Sequence, residues 1–151
     1  MNQPCITIIM GIGLVFLVAG EVGGEEISTS TIFLSLDGGG WVVAADPDNT
    51  GRDAAWWTAP RPEAQPLRVP GILQEALPGY HGVAWYWREF TPPANPYESG
   101  RCLLRFHAVD YLAEVWLNDT PVGGHEGGET PFTFDITEVL LPSQTNRLAV
   151  R

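Results

Sequence analysis

A glycine-rich stretch carries the side chains best suited to bind a polar ligand. Residues 123–130 contain four glycines together with His125, Glu126 and Glu129. Glycine lets a backbone approach a ligand closely, and imidazole and carboxylate groups form hydrogen bonds with hydroxyls. We therefore interpret this stretch as a candidate binding loop. Two structural alternatives together carry more weight: a turn that joins two strands, and a surface that docks on a neighbouring domain.

A second candidate is the aromatic cluster at residues 84–90, which contains Trp85 and Trp87. Alternation along a strand puts these two tryptophans on one face, opposite Tyr86 and Arg88. The face of an indole ring stacks well on the C–H groups of a sugar, which makes Trp85 a candidate ligand contact. Burial of both tryptophans in the core is the favoured alternative, because large aromatic side chains dominate core packing.

Charged side chains elsewhere are expected to have structural roles. We expect Arg88 to form an ion pair with a carboxylate, either Asp135 or Asp110. The three histidines, His81, His107 and His125, show no mutual spacing typical of a metal site. The sequence therefore predicts neither a bound metal nor a cofactor.

Composition excludes several classes of protein. The chain has 151 residues, 18 acidic side chains against 8 basic ones, and a net charge of −10. Such a chain has no basic surface for a phosphate backbone, so we expect no nucleic-acid partner. A complete (β/α)₈ barrel needs about 250 residues, which excludes one here. The 17 glycines and 13 prolines favour short strands joined by turns.

The N-terminus is typical of an export signal. Residues 5–19 form an uncharged apolar run, shorter than the ~20 residues that span a membrane as a helix. We predict a cleaved signal at residues 1–20 and a flexible leader at 21–30, hence a periplasmic or extracellular protein without stable membrane association after cleavage. An uncleaved anchor and a wrongly chosen start codon are the alternatives. Cleavage would leave Cys102 unpaired, as a small buried hydrophobic residue rather than a reactive thiol.

Short β-prone segments recur along the rest of the chain, with turn-forming residues between them. This spacing, without a long amphipathic helix, predicts an all-β antiparallel sandwich. The turn at Asn118 and Asp119 explains the glycosylation-like triplet there better than glycosylation does. The predicted strands are 31–36, 41–45, 67–69, 84–90, 101–109, 111–117, 132–134 and 146–151.

Ten short segments follow one another in the chain: LDGGGW (36–41), DPDNTG (46–51), WW (56–57), VPGILQE (69–75), GVAWYWREF (82–90), RFHAVD (105–110), AEVWLN (113–118), VGGHEGG (122–128), TPFTFDIT (130–137) and NRLAV (146–150). In this order they resemble the N-terminal sugar-binding domain of glycoside hydrolase family 2, which contains β-galactosidases, β-glucuronidases and β-mannosidases. The resemblance extends from about Leu34 to Arg151.

The resemblance implies a galactose-binding-like jelly-roll sandwich over residues 31–151, incomplete at its C-terminus. In the family, an immunoglobulin-like domain and a barrel follow this domain, and the barrel supplies both catalytic carboxylates. We therefore assign no catalytic residue here and expect the isolated chain to be inactive. An incomplete jelly roll also predicts that Leu148 and Val150 lie on an unprotected sheet edge, which would make the chain marginally stable or aggregation-prone.

Three functions follow from these observations. The first is the non-catalytic sugar-binding and scaffold domain of a family 2 glycoside hydrolase, whose partners are a glycoside and the barrel and immunoglobulin-like domains of the same enzyme. The second is a stand-alone exported carbohydrate-binding module. The third is a jelly-roll domain that mediates contacts between proteins.

Overall fold

The computed structural model describes residues 8–17, 32–95 and 100–151. Short 3-10 turns lie at Trp56–Thr58 and Leu73–Glu75, and strands form the remaining regular structure of these ranges. The strands are β1 (Ile8–Leu17), β2 (Ile32–Ser35), β3 (Gly38–Ala45), β4 (Gln65–Val69), β5 (Gly71–Ile72), β6 (Ala84–Phe90), β7 (Arg101–Val109), β8 (Leu112–Leu117), β9 (Thr120–Glu126), β10 (Phe132–Asp135) and β11 (Asn146–Val150).

The strands form two antiparallel sheets. One has five strands in the order β10-β7-β1-β2, with β5 also paired to β1, and the other has six in the order β4-β3-β6-β11-β8-β9. The predicted all-β antiparallel sandwich is therefore confirmed. The bounds of β6 and β7 agree residue for residue with the sequence prediction. Alternating apolar side chains indicate β7, whereas β6 is a run of aromatic, β-prone residues that Pro92 and Pro93 follow.

The main core lies between the two sheets. From the five-stranded sheet, β7 contributes Cys102, Leu104 and Phe106, all of them buried. The predicted role of Cys102 as a small buried hydrophobic residue is confirmed. Burial raises the pKa of the Cys102 thiol to about 12, and the charge of Asp135 acts in the same direction. The native thiol is therefore almost entirely protonated at neutral pH, which makes it a packing residue rather than a nucleophile.

A second, smaller core covers the outer face of the six-stranded sheet. Trp85 and Trp87 are both buried there, under the segment that contains Trp56 and Trp57. The indole nitrogen of Trp87 donates to the backbone carbonyl of Trp56 at 2.8 Å. The predicted burial of both tryptophans is confirmed, but they lie outside the sandwich interior. Tyr86, on the opposite face of β6, packs in the main core instead.

The hairpin between β8 and β9 contains the predicted turn. Asn118 and Asp119 both have positive φ, 49° and 69°, as a two-residue hairpin turn requires. The Asn118 amide is half-buried and donates to Val139 O at 2.9 Å and Asn146 Oδ1 at 2.7 Å. This side chain therefore has a structural role.

The glycine-rich stretch differs from the prediction, because β9 extends to Glu126 and only the residues beyond it form a loop.

The predicted edge position of Leu148 and Val150 is wrong. β11 lies inside the six-stranded sheet, where it pairs with β6 on one side and β8 on the other. Both side chains are almost fully buried in the main core. Sequence order does not fix spatial order in a sheet, and the strand nearest the C-terminus here lies between two earlier strands.

The apolar N-terminal segment lies within the fold. Residues 8–17 of the predicted export signal form β1, whereas the predicted leader at residues 21–30 lies outside the described residues. Among the residues that the structure describes, there is no helix of the length and apolar character needed to cross a membrane.

Candidate functional site

A cleft opens at one end of the sandwich, where four strands begin or end. It has a volume of about 310 Å³. Its base is apolar and includes Tyr86, Val109 and Val150, while Asp110 and Arg151 add charged groups. An apolar base with a few polar groups is typical of small-molecule sites. The full lining is Gly82, Val83, Ala84, Tyr86, Val109, Asp110, Tyr111, Leu112, Val150 and Arg151.

Exposed aromatic and apolar side chains flank this cleft. Tyr111 is 53% exposed and Leu112 is 51% exposed, although both are large apolar residues. The Tyr111 hydroxyl donates to Glu126 Oε1 at 2.8 Å. That hydrogen bond is the main reason why the pKa of the Tyr111 phenol is raised. The bond holds an exposed ring at the mouth of the cleft, beside a carboxylate.

The loop after β9 reaches the same end of the molecule. Gly127 N donates to the Tyr111 carbonyl at 2.8 Å. A Cβ atom at Gly128 would lie 2.7 Å from Asp110 Oδ1, so any other residue there would require the Asp110 side chain to shift. The glycines of this stretch therefore fit the loop against the cleft wall. This agrees with the interpretation of the stretch as a turn between two strands rather than as a ligand contact.

The three predicted ligand contacts in this stretch lie in different environments. His125 stacks on Phe132, with ring centroids 4.2 Å apart, and its Nε2 lies 2.9 Å from Thr130 Oγ1. These contacts give the imidazole a structural role at the edge between β9 and β10. Glu126 joins Tyr111 at the cleft mouth, and Glu129 is exposed. Of the three, only Glu126 is thus joined to the cleft by a side-chain contact.

Trp85 lies apart from these groups. Its side chain is 0% exposed, and its indole nitrogen donates to Asp46 Oδ2 at 3.0 Å. Its ring lies 5.0 Å from that of Trp116, centroid to centroid. A ligand therefore has no access to the Trp85 ring, and the core interpretation holds for this residue.

The expected pair between Arg88 and Asp135 is replaced by two other interactions. Arg88 Nη1 donates to Gly39 O at 2.5 Å, and its guanidinium lies over the Trp41 ring. Asp135 instead pairs with Arg101 at 2.6 Å. The predicted ion pair does not form because Arg88 and Asp135 lie in different sheets, on β6 and β10. Hydrogen bonds from Thr137 and Arg101 lower the pKa of Asp135 to about 2.

Arg151 is the one cationic side chain among the residues that line the cleft. Its side chain is only 8% exposed, and its Nη1 lies 2.9 Å from Glu114 Oε2. Nη2 donates to Asn49 Oδ1, while the buried Nε has no hydrogen-bond partner among the described residues. Arg52 also pairs with Glu114. The carboxylate of Glu114 therefore pairs with Arg151, which disfavours binding of an anion at this guanidinium.

Sequence reasoning missed the association of Asp110, Tyr111 and Arg151 at one end of the sandwich. Asp110 and Tyr111 follow β7 directly, where a polar residue and an exposed aromatic residue interrupt two alternating strands. Their carboxylate, phenol and ring suit hydrogen bonding and stacking with a neutral polyol. Within the described part of the chain, no three His, Cys, Asp or Glu side chains are grouped closely enough to hold a metal ion.

Comparison with known proteins gives this site a family context. Residues 72–151 match the family described as glycosyl hydrolases family 2, sugar binding domain. This range includes every residue that lines the cleft. The β-glucuronidase of Paenibacillus borealis is 36% identical over 115 residues, which cover 73% of this chain and 19% of that protein. The β-glucuronidase of Rattus norvegicus is also 36% identical, over 125 residues, with the same coverage of both chains.

Solved structures agree with the sequence matches. The Ruminococcus gnavus β-glucuronidase in complex with uronic isofagomine is 31% identical, with a TM-score of 0.67 over 78% of this chain and 20% of that chain. An uncultured Clostridium sp. β-glucuronidase has the same identity and TM-score, over 76% of this chain and 21% of that chain. The chain spans about a fifth of the length of the relatives it matches. It belongs to glycosyl hydrolase family 2, within which it corresponds to the non-catalytic sugar-binding domain.

Proposed function

We propose that this chain is the sugar-binding domain of an enzyme that hydrolyses β-glucuronides. The observation that carries the proposal is the family match over residues 72–151, together with similarity to proteins named β-glucuronidase. Hydrolysis by the retaining mechanism needs two carboxyl groups about 5–5.5 Å apart across the scissile bond. In the family that this sequence resembles, the barrel domain supplies both carboxyl groups.

The domain's own contribution is to present the cleft end of the sandwich to the glycoside or to the barrel. Support for this role comes from the exposed ring of Tyr111 and from the carboxylates of Asp110 and Glu126 near it. The apolar face of a pyranose packs on such a ring, and its hydroxyls donate to such carboxylates. Because anions are disfavoured beside these carboxylates, we expect contact with the neutral hydroxyls rather than with the uronate group.

Replacing Tyr111 with alanine is expected to abolish weak sugar binding by the full chain. We expect p-nitrophenyl β-D-glucuronide to bind with a Kd of about 1–10 mM, since one exposed ring and a shallow cleft give little contact. NMR titration of the labelled protein should show shifts confined to residues at the cleft. In Tyr111→Ala these shifts should fall by at least about tenfold at equal ligand concentration.

Phe33→Ala provides a matched control, because Phe33 is 60% exposed and is not among the residues that line the cleft. Its variant should bind as the natural chain does. Identical titrations for Tyr111→Ala and the natural chain would contradict a sugar contact at this cleft. Comparison with p-nitrophenyl β-D-glucoside, which differs only at C6, would show whether the uronate group contributes to binding.

The isolated chain is expected to have no glycosidase activity. Pure protein incubated with p-nitrophenyl β-D-glucuronide should release p-nitrophenol no faster than buffer does, because the catalytic pair lies outside this sequence. Turnover that disappears in Glu126→Gln, while the variant stays folded, would overturn the non-catalytic assignment. Turnover that chromatography separates from the chain would instead indicate a contaminating enzyme.

A further inference from the structure

A second cavity lies at the other end of the sandwich. It has a volume of about 350 Å³, and its lining comes from the start of β7, the start of β9 and the turn that follows β10. Arg101 begins β7 and lines this cavity, whereas Val109 ends β7 and lines the cleft. At about 3.4 Å per residue, the two lie about 27 Å apart along this strand. They have no lining residue in common.

Apolar side chains form one part of the lining of this cavity. Val122 and Val139 are half-buried, and both pack against the main core. The exposed ring of Pro121 precedes Val122 in β9 and also lines the cavity. Because core packing holds the two valines, they present a fixed apolar surface. Such a surface suits a ligand with an apolar face, including the C–H groups of a pyranose ring.

An ion pair within a hydrogen-bond network forms another part of the lining. Arg101 Nε and Nη2 both donate to Asp135 Oδ2, at 2.9 and 2.6 Å. Asp135 Oδ1 accepts from Thr137 N at 3.0 Å and from Thr137 Oγ1 at 2.6 Å. These four bonds use the acceptor capacity of the carboxylate. Arg101 Nη1 is left as a donor without a partner among the described residues.

Glu138 provides an acceptor in the same cavity. Its side chain is exposed and forms neither a hydrogen bond nor an ion pair with another residue of the described ranges. One guanidinium and two carboxylates give the lining a net charge of −1, which disfavours an anionic ligand. The free groups are thus a donor at Arg101 and an acceptor at Glu138.

A neutral polyol uses both free groups. A sugar hydroxyl both accepts and donates, so two neighbouring hydroxyls can accept from Arg101 and donate to Glu138. A lysine or arginine side chain would pair with Glu138, but it has no acceptor for Arg101 and carries the same charge as this guanidinium. The lining therefore favours a neutral sugar over a basic side chain of another protein.

We infer that this cavity is a binding site for a neutral pyranoside, whose ring packs on Val122 and Val139 while its hydroxyls bond to Arg101 and Glu138. The site anchors the protein to a neutral glycan at a point about 27 Å from the cleft. The inference shares only the class of ligand with the proposed function. It depends neither on sugar binding at the cleft nor on glycoside hydrolysis.

NMR titration of the labelled full chain tests this site in a Tyr111→Ala background, which removes the contact proposed for the cleft. The probes are the methyl β-D-glycosides of glucose, galactose and mannose. At least one should bind with a Kd of about 1–10 mM and shift the amides of Val122, Thr137 and Val139. The uronide of the sugar that binds, which carries a carboxylate at C6, should bind at least about threefold more weakly.

Glu138→Ala in the same background should weaken this binding by about tenfold, because it removes the charged acceptor. Glu89→Ala is the matched control: Glu89 is also exposed and does not line the cavity, so its variant should bind as the background protein does. Since both glutamates are exposed, both variants are expected to fold. Equal affinities of the two variants would overturn the inference.

Three further outcomes are decisive. No shift at these amides with any of the three glycosides, at concentrations well above the expected Kd, would overturn the inference. Shifts with N-acetyl-L-arginine amide but with no glycoside would also overturn it, and would indicate a socket for a basic side chain. In the chain without the Tyr111 substitution, shifts at Val122 and Val139 without shifts at the cleft would support this site while contradicting the sugar contact proposed for the cleft.

Discussion

Replacing Asp46 with alanine is expected to lower the free energy of unfolding by about 3–5 kcal/mol, measured by urea denaturation of the full chain. Asp46 is only 1% exposed. Its Oδ2 accepts from Trp85 Nε1 at 3.0 Å and Gly51 N at 2.9 Å, and its Oδ1 accepts from Thr50 N at 2.9 Å. Alanine would leave these donors without their acceptor, two of them in buried hydrogen bonds. Desolvated donors without partners account for the large expected effect.

The pKa of Asp46 gives this prediction a pH dependence. Burial by itself would raise the pKa, but hydrogen bonds from Trp85, Gly51 and Thr50 outweigh it, and the pKa is lowered from 3.8. A carboxyl group with a lowered pKa stabilises the fold above its unfolded pKa and loses that contribution as the pH falls. The difference between natural protein and Asp46→Ala should therefore be constant near neutral pH and narrow only below about pH 4.

Asp48→Ala is the matched control, because Asp48 lies in the same turn and is exposed. It should change stability by less than about 0.5 kcal/mol. Trp85→Phe removes one donor but keeps a ring, and its cost should not add fully to that of Asp46→Ala in the double variant. If the two changes in the free energy of unfolding added fully, the hydrogen bond from Trp85 would contribute little. A decrease of less than about 1 kcal/mol in the free energy of unfolding of Asp46→Ala would contradict the prediction.

The sequence was sufficient to predict most strands of the second half, with β9 as the exception, and which residues of β7 share a face. For residues 84–90 and 101–109 the structure has the predicted bounds, and residues 101–109 alternate between buried and more exposed side chains. What alternation does not reveal is how each face of a sheet is covered. Trp85 and Trp87 share a face as predicted, but only the folding of residues 46–64 over that face decides that they are buried outside the main core.

Contacts between sheets were harder to predict. Arg88 and Asp135 have opposite charges and lie near strands, which made an ion pair a reasonable expectation. Their actual partners depend on which strand enters which sheet, and β6 and β10 enter different ones. The cleft depends on the same kind of information. Asp110 and Arg151 are 41 positions apart in sequence, and they line one cleft only because the strands before them end at the same end of the sandwich.

Replacing Asn146 with alanine is expected to lower the free energy of unfolding by about 3 kcal/mol. Asn146 is 0% exposed, and its amide forms four hydrogen bonds. Oδ1 accepts from Leu141 N at 2.8 Å and Asn118 Nδ2 at 2.7 Å. Nδ2 donates to the carbonyl oxygens of Leu141 at 2.8 Å and Gln144 at 2.9 Å. Alanine would remove all four at once and free Leu141 and Gln144, while the bond from Asn118 to Val139 O would remain.

Two further variants separate hydrogen bonding from shape. Asn146→Asp keeps the shape but turns an acceptor toward two carbonyl oxygens, so it should be at least as damaging as alanine at pH 7. Because this environment disfavours the charged form, the folded pKa of the new carboxyl should be raised, and lowering the pH toward 4 should restore part of the stability. Gln144→Ala should be nearly neutral, since Gln144 contributes its backbone carbonyl to this network. An Asn146→Ala variant within about 0.5 kcal/mol of the natural chain would show that solvent satisfies the same groups, and that the turn holds the hairpin without this side chain.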